Sequence, residues 1–400
     1  MTAPYRVTAM DTAPAPRRDD DHPVVVAALR TPIGTAGRSL AGVGAADLAA
    51  PVLRALAAAV PGPVSDVLLG NCMGPGGNLA RVAALAGGLP HAVPAATVDR
   101  QCGSGLAAVA LAAAQVRAGG GTVLAGGVES ASTAPWRFWP PADGGTPVRY
   151  ERAPFAPADV GDPDMGLAAD LVAAEHGVGR ERQDAYAARS HALAAATRAA
   201  GGFDAEIVPV GDLTRDERPR PGLSAARLAR LRPAFRTGGT VTAGNSCGVN
   251  DGAAAVAVVD ADTHRRLGVP GLRVLATATA GVDPNRPGLG VVPAVNSALA
   301  RAGVGLDQVD VVELNEAFAG QVLACCDLLG LDPGRVCTEG GALALGHPWG
   351  ASGAVLLVRL FSQLVRSDRP GVAAGPARLG LAAIAVGGGQ GVAMVVEACR

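Results

Sequence analysis

Three side chains in this 400-residue chain stand where nucleophilic or proton-transfer chemistry would be expected. Cys102 follows the apolar-plus-charged stretch "TVDRQC" and precedes Gly-Ser-Gly and a long Ala-rich run. That order puts its sulfur at a helix N-terminus, where the macrodipole and free amides lower a thiol pKa and raise the thiolate fraction. A small buried apolar cysteine fits the same spacing. Asn315 ends an apolar run and opens "NEAFAGQ"; a strand-end carboxamide can hold a water or a carbonyl, and a helix N-cap is the plain alternative. His347 lies in "GGALALGHPWGASG", where glycines leave room for a ligand and Pro348 excludes regular helix at the imidazole. A surface-loop histidine is the alternative there. A fourth pattern is "GNSCG" at Gly244 to Gly248, which fits the G-x-S-x-G elbow of hydrolases, with Ser246 followed by Asp283 or Asp307 and then His347. The next residues, Val-Asn-Asp-Gly, read as a turn rather than a helix start, which weakens that match.

Composition closes several other routes. All 34 basic residues are arginine, so Schiff-base, PLP, P-loop and kinase-type lysine chemistry is excluded. Anionic groups must be held by arginine forks, backbone amides or helix N-termini. A net charge of -1 with 3% aromatics gives neither an electrostatic nor a stacking footprint for nucleic acid. Seven cysteines without a secretory signal argue for reduced thiols and a cytoplasmic location. No CxxC or HExxH and only six histidines leave no metal motif. The uncharged stretch near Leu379 to Val396 is broken by glycines and a glutamine, so no membrane span is expected.

The elements that must position these groups alternate in an α/β pattern. "VVVAAL" at Val24 to Leu29 reads as a buried strand, and apolar helix candidates occupy Pro51 to Val60, the stretch after Cys102, Pro293 to Ala302, and the stretch after Gly350. Two halves look related: the same spacing separates Asp66 from Asn71 and Asp310 from Asn315, and each half ends in a strand running into glycines, at Thr122 to Gly127 and Leu381 to Gly389. Such a duplication predicts two similar α/β layers. Between them, about 130–239, the chain turns Trp-, Pro- and Arg-rich and reads as an inserted lid whose arginines mostly pair along solvated helix faces. The expected organisation is a disordered leader at 1–22, a first half at 23–129 plus 240–265, a lid at 130–239, and a second half at 266–400.

With these residues in place the chain resembles the thiolases, the CoA-dependent members of the thiolase and ketoacyl synthase superfamily. The stretches carrying the resemblance run in order from "RTPIGTAGRSL" through "VDRQCGSGLAAVALAAAQVRAGG", "GTVTAGNSCGVNDGAAA", "LNEAFAGQ" and "GGALALGHPWGASGA" to "VGGGQGVAMVVE". The resemblance implies the thiolase fold, two similar halves forming α-β-α-β-α across the pair (five layers) with a lid insertion, and a homodimer or homotetramer. It implies acyl-CoA substrates, with coenzyme A as substrate or product and no bound cofactor. By resemblance Cys102 takes the acyl group, His347 activates it, and Asn315 with a water and His347 forms one oxyanion hole. The amides of Cys102 and Gly387 form the other. Arg220 matches the lid arginine near the CoA nucleotide, and Ser246 and Cys247 fall in the CoA-side loop, Cys247 where a serine usually contacts pantetheine. That placement removes the hydrolase reading.

One departure stands out. The family normally ends in CxGGG, whose cysteine moves the α-proton of the second acyl-CoA, and here the sequence is Ala385-Val386-Gly387-Gly388-Gly389. Alanine cannot transfer a proton, and positioned proton transfer is worth about 10²- to 10⁴-fold in rate. Trp349 replaces a smaller residue after GHP, and Cys337 stands where asparagine is usual, which raises it as a substitute base. Three functions follow as expectations: a Claisen or thiolysis acyltransferase working through Cys102, a decarboxylative or other specialised condensing or acyl-transfer enzyme using a malonyl-type extender or a non-carbon acceptor, and a catalytically silent CoA-binding subunit.

Overall fold

The computed structural model describes residues 22–119, 121–366 and 378–400. The expected leader lies outside the described residues except for His22, whose ring nitrogen meets the Val274 carbonyl at 3.0 Å. In chain order the first half contains β1 (Val24–Arg30), β2 (Gly34–Thr35), α1 (Ala45–Ala59), β3 (Val64–Gly70), α2 (Leu79–Ala86), β4 (Ala95–Val98), α3 (Ser104–Arg117) and β5 (Thr122–Ser130). A long excursion carries β6 (Arg137–Trp139), β7 (Val148–Tyr150), α4 (Met165–Glu175), α5 (Arg180–Ala199) and α6 (Ala225–Leu228) before β8 (Asn250–Val259) and α7 (Ala261–Leu267). The second half contains β9 (Gly271–Gly281), α8 (Val291–Ala302), β10 (Val311–Leu314), α9 (Ala319–Leu329), α10 (Ala342–Leu345), α11 (Trp349–Leu364), β11 (Leu379–Val386) and β12 (Gln390–Cys399).

The duplication seen in the sequence is a duplication of strand order. In the first half β3 and β5 are parallel, β5 and β8 antiparallel, and β8 and β1 antiparallel. In the second half β10 and β11 are parallel, β11 and β12 antiparallel, and β12 and β9 antiparallel. The two sets join edge to edge where Val24 and Val25 of β1 pair Arg273 and Leu272 of β9. Asn71 and Asn315 therefore stand at equivalent places, one residue past β3 and β10. The excursion leaves and returns between neighbouring antiparallel strands, since Ser130 at the end of β5 pairs Asp251 at the start of β8.

Burial patterns follow from the layers. Helices α1 and α2 cover the outer face of the first sheet half, and α8 and α9 cover that of the second. Between the halves lie α3 and α11, packed together with residues from both sheets. Because it is covered on all sides, α11 buries every residue from Gly350 to Leu364, and even its polar residues are internal. Buried polar groups need partners: Arg359 and Ser362 bond Glu206, and Gln363 donates to Glu313 at 2.6 Å. Small residues let the two central helices approach. A Cβ on Gly105 would sit 2.7 Å from the Gly350 carbonyl, and one on Gly353 would sit 2.5 Å from the Leu106 nitrogen. Fully burying one leucine of this layer stabilises the fold by about 1.5–3 kcal/mol. No helix among the described residues is long and apolar enough to cross a membrane.

Candidate active site

The two central helices bring Cys102 and His347 together because each residue precedes one of them. Cys102 lies two residues before α3, in a turn whose shape is set by Gln101. That residue adopts φ +46°, a left-handed conformation costing a non-glycine residue roughly 1 kcal/mol. The turn is pinned from several sides: the Asp99 carboxylate accepts from the Gln101 N–H at 2.9 Å, and the Gln101 carbonyl accepts from Ser104 Oγ at 2.6 Å and from Cys72 Sγ at 3.0 Å. His347 lies two residues before α11. Gly346 precedes it at φ +114°, with the Asn250 side chain where a Cβ would go, so only glycine brings the chain through. Asn250 Oδ1 then accepts from the His347 N–H at 3.0 Å.

Cys102, His347, Cys247, Trp349, Ala385 and Gly387 all line one cavity of about 120 Å³. Its lining also includes Met165, Ala168 and Ala169 of α4, and Pro287, Gly288, Phe318 and Gln321. The walls are apolar, and this controls the electrostatics. Burial pushes the Cys102 thiol up to about 12, with Cys247 and Glu129 adding to the rise and its own backbone N–H opposing it. Burial also brings His347 down to about 4. The expectation of a thiol made acidic by a helix N-terminus is thus corrected. Desolvation is the largest influence on the thiol, and at neutral pH the cavity holds a neutral thiol and a neutral imidazole. Such a pair is suited to general-base transfer during attack rather than to a standing thiolate.

The imidazole is oriented by a residue that the sequence pattern did not single out. His347 Nδ1 lies 2.6 Å from Ser352 Oγ, in the first turns of α11. With Nδ1 occupied, Nε2 is the nitrogen left for proton transfer. Glu129, at the end of β5, is a second unanticipated element. Its carboxylate accepts from Asn71 Nδ2 at 2.9 Å, from the N–H groups of Cys72 and Met73 at 3.1 Å each, and from the Gly350 N–H at 3.0 Å. Burial raises its pKa, and the backbone donors work against that rise. The carboxylate ties the start of α11 to the strand end and loop of the first half.

The remaining sequence-derived residues fall in different places. Asn315 does not line the main cavity; it borders a smaller one of about 20 Å³ with Glu313, Gly341, Ser352 and Arg359, room for one water. Its N–H donates to the Ala383 carbonyl at 2.9 Å, and its carboxamide bonds no described residue. Ser352 borders both His347 and that cavity. Ser246 donates its hydroxyl to the Thr242 carbonyl at 2.7 Å and leads into strand β8, not a helix, so no nucleophile elbow exists there. Arg220 is exposed, with its N–H on His191 Nδ1 at 3.2 Å. Cys337 is fully buried and donates to the Leu314 carbonyl at 3.2 Å, away from the main cavity, which removes it as a substitute base.

Known proteins match the chain along nearly its whole length. The family model "Thiolase, N-terminal domain" matches residues 23–262, and "Thiolase, C-terminal domain" matches residues 270–398. An acetyl-CoA acetyltransferase of Pseudomonas aeruginosa is 43% identical over 395 residues, covering 93% of this chain and 98% of that protein. One of Escherichia coli is 42% identical over 399 residues, covering 94% of this chain and 98% of its own length. Among solved structures, the crystal structure of the Bacillus anthracis acetyl-CoA acetyltransferase superposes with a TM-score of 0.85 at 36% identity, covering 95% of this chain and 99% of that one.

Proposed function

The chain belongs to the thiolase family and is an acyltransferase, and from that premise we propose that it forms an acyl-enzyme on Cys102 from an acyl-CoA. The acyl group is then passed to, or received from, a second CoA thioester by making or breaking a C–C bond. The observation that carries this reading is the apolar cavity lined by both Cys102 and His347. In it neutral His347 takes the thiol proton as sulfur attacks the thioester carbonyl, and returns a proton to the departing CoA thiolate. Ser352 holds the imidazole for this exchange. The Asn315 carboxamide, facing a cavity sized for one water, is the proposed holder of an oxyanion-side water, and the backbone N–H groups of Cys102 and Gly387 are the proposed second hole. Such donors are worth a few kcal/mol each when aimed at developing charge. Cys247 and Trp349 are proposed to wall the substrate, with Ser246 and Arg220 contributing to the CoA side through their loops. The active form is proposed to be a cytoplasmic homodimer or homotetramer with no bound cofactor.

Ala385 gives a specific ground for a second reading. It lines the same cavity and has no proton to move, so α-deprotonation of an acetyl-type extender lacks the usual thiol. A malonyl-type extender generates its carbanion by losing CO₂ and needs no such base. Intact-mass measurement after acetyl-CoA addition tests the shared step: one acyl group on Cys102, absent in Cys102→Ala. Acetyl-CoA and malonyl-CoA are then compared as extenders. Slow condensation with acetyl-CoA is expected. Rapid acetoacetyl-CoA formation from acetyl-CoA alone would overturn the role given to Ala385, and failure to acylate Cys102 would overturn the enzyme reading.

A further inference from the structure

One guanidinium near the cavity has no counter-charge. Arg218 lies in the segment 216–220, whose backbone is held firmly. Arg30 donates to both Asp216 carboxylate oxygens at 2.7 and 2.8 Å, and the Glu217 carboxylate accepts from the Thr35 N–H at 2.7 Å. Arg198 donates to the Asp216 and Pro219 carbonyls at 3.2 and 3.3 Å. Along this segment Arg220 is exposed, while Arg218 is half-buried against Gly248. A Cβ on Gly248 would lie 2.6 Å from the Arg218 Cζ, so glycine at 248 is what admits the guanidinium. The preceding residue, Cys247, lines the cavity that holds Cys102.

Among the described residues Arg218 has no hydrogen bond, ion pair or ring contact, and its Nε is buried without a partner. The fully buried arginines are arranged differently: Arg30 is paired with Glu206 and Asp216, and Arg359 with Glu206 and Glu339. Desolvating an unpaired cation is costly, and buried charges are normally paired, so an anion arriving at Arg218 would supply the missing partner. Adjacent Glu217 is turned away onto the Thr35 and Ser39 N–H groups, and Arg220, two residues on, adds positive charge instead of cancelling it. Burial and Arg220 both push the Arg218 pKa down, and only the Cys247 thiol acts in the other direction.

We propose that Arg218, reinforced by Arg220, is an anion-binding subsite on the Cys247 side of the cavity, taking either a phosphate of the coenzyme A handle or a terminal carboxylate on the acyl group. Its ligand class rests on the acyl-CoA reading above. A guanidinium matches both anions through paired N–H donors.

The test is titration calorimetry of the full-length protein with coenzyme A and with pantetheine, which lacks the phosphates. In a Cys102→Ser background, succinyl-CoA and butyryl-CoA are added as a pair differing in a carboxylate. Losing a charge-assisted pair weakens binding by about 10- to 100-fold. Arg218→Gln is therefore expected to weaken coenzyme A by that factor and leave pantetheine unchanged if phosphate is the ligand. It is expected to erase a preference for succinyl- over butyryl-CoA if the carboxylate is. Arg218→Lys should recover part of either loss. Equal weakening of coenzyme A and pantetheine, no change with any ligand, or no saturable binding of coenzyme A by the wild type overturns the proposal. Binding is read without turnover, so a protein that binds through Arg218 yet never acylates Cys102 would refute the enzyme reading and leave this subsite standing.

Discussion

His347 Nδ1 and Ser352 Oγ stand 2.6 Å apart, both buried, at the start of the central helix α11. The contact fixes which ring nitrogen is available, and it spans only five residues, from the segment before α11 to its first turn, so it does not depend on the excursion between β5 and β8. Ser352→Ala should slow acylation of Cys102 by about 10- to 100-fold, the size of loss seen when the partner orienting a metal-bound histidine is removed. It should cost about 1 kcal/mol of stability. Rapid-quench intact mass and urea unfolding read the two quantities. An unchanged acylation rate would remove Ser352 from the site.

The thiol at Cys102 is held protonated by burial, pushed up to about 12 from the 9.0 of a free thiol. Alkylation of the free protein by iodoacetamide should therefore climb steadily with pH through 9 to 10. A rate plateau with a midpoint near neutrality would mean a stabilised thiolate, contrary to the desolvated cavity.

How much of this was readable beforehand differs residue by residue. The strand runs at Val24 and Leu381, the helices after Cys102 and Gly350, and the paired spacing of the halves were legible because burial on both faces leaves uninterrupted apolar sequence. Charge states were not. A helix start is visible in sequence, whereas the apolar wall supplied by α4 and by Pro287 comes from segments far away in the chain, and that wall decides the pKa. Side-chain direction was equally hidden: Cys247 faces the cavity while adjacent Ser246 bonds Thr242, and Arg218 turns inward while Arg220 turns out.

The equivalent asparagines illustrate the same limit and yield a paired prediction. Asn71 donates to Glu129 and to the Val128 carbonyl, and its Oδ1 accepts from the Gly74 N–H at 2.9 Å. Asn315 leaves its carboxamide toward a cavity. Asn71→Ala should therefore destabilise the fold by about 1–3 kcal/mol, because Glu129 and Gly74 lose buried partners. Asn315→Ala should change stability by less than 1 kcal/mol, within the range of weakly coupled sites, and lower turnover at least tenfold. Thermal melts and initial rates on both variants decide it, and reversed sensitivities would assign the roles the other way round.

Two buried histidines give the acid limb of stability. His347 and His191 are both brought down to about 4, from 6.5 in a free chain, by burial, with Arg218 and Arg220 adding to the effect at His191. Above pH 6.5 both folded and unfolded chains hold neutral imidazole, so neither residue alters stability there. As pH falls from 6.5 toward 4 the unfolded chain binds protons that the folded one refuses, and stability drops by roughly 3 kcal/mol per histidine. Burial raises Glu313 to about 7, and its proton uptake in the folded state works in the opposite direction over the same range. The histidine contribution is therefore read as a difference: His191→Gln should lose less stability than the wild type between pH 6.5 and 4.5 in urea titrations. Parallel curves would contradict the lowered pKa.

Ala385 supplies the sharpest contrast between the steps of the reaction. It lies on β11, opposite Gly391 of β12, with its methyl on the cavity that contains Cys102 and His347. The first half-reaction needs only the sulfur and the imidazole, so Ala385→Cys should leave acetylation of Cys102 by acetyl-CoA within about twofold, well below the tenfold that 1.4 kcal/mol represents. The second half-reaction needs a proton removed from, or returned to, the α-carbon. A thiol placed there should raise acetoacetyl-CoA thiolysis, and condensation of two acetyl-CoA, by about 10²- to 10⁴-fold. Exchange of the acetyl methyl protons with deuterated solvent isolates that proton transfer and should rise in step. If exchange is already fast with alanine at 385 and the cysteine adds nothing, another group in the cavity moves the proton, and Cys247→Ser becomes the variant that should abolish it.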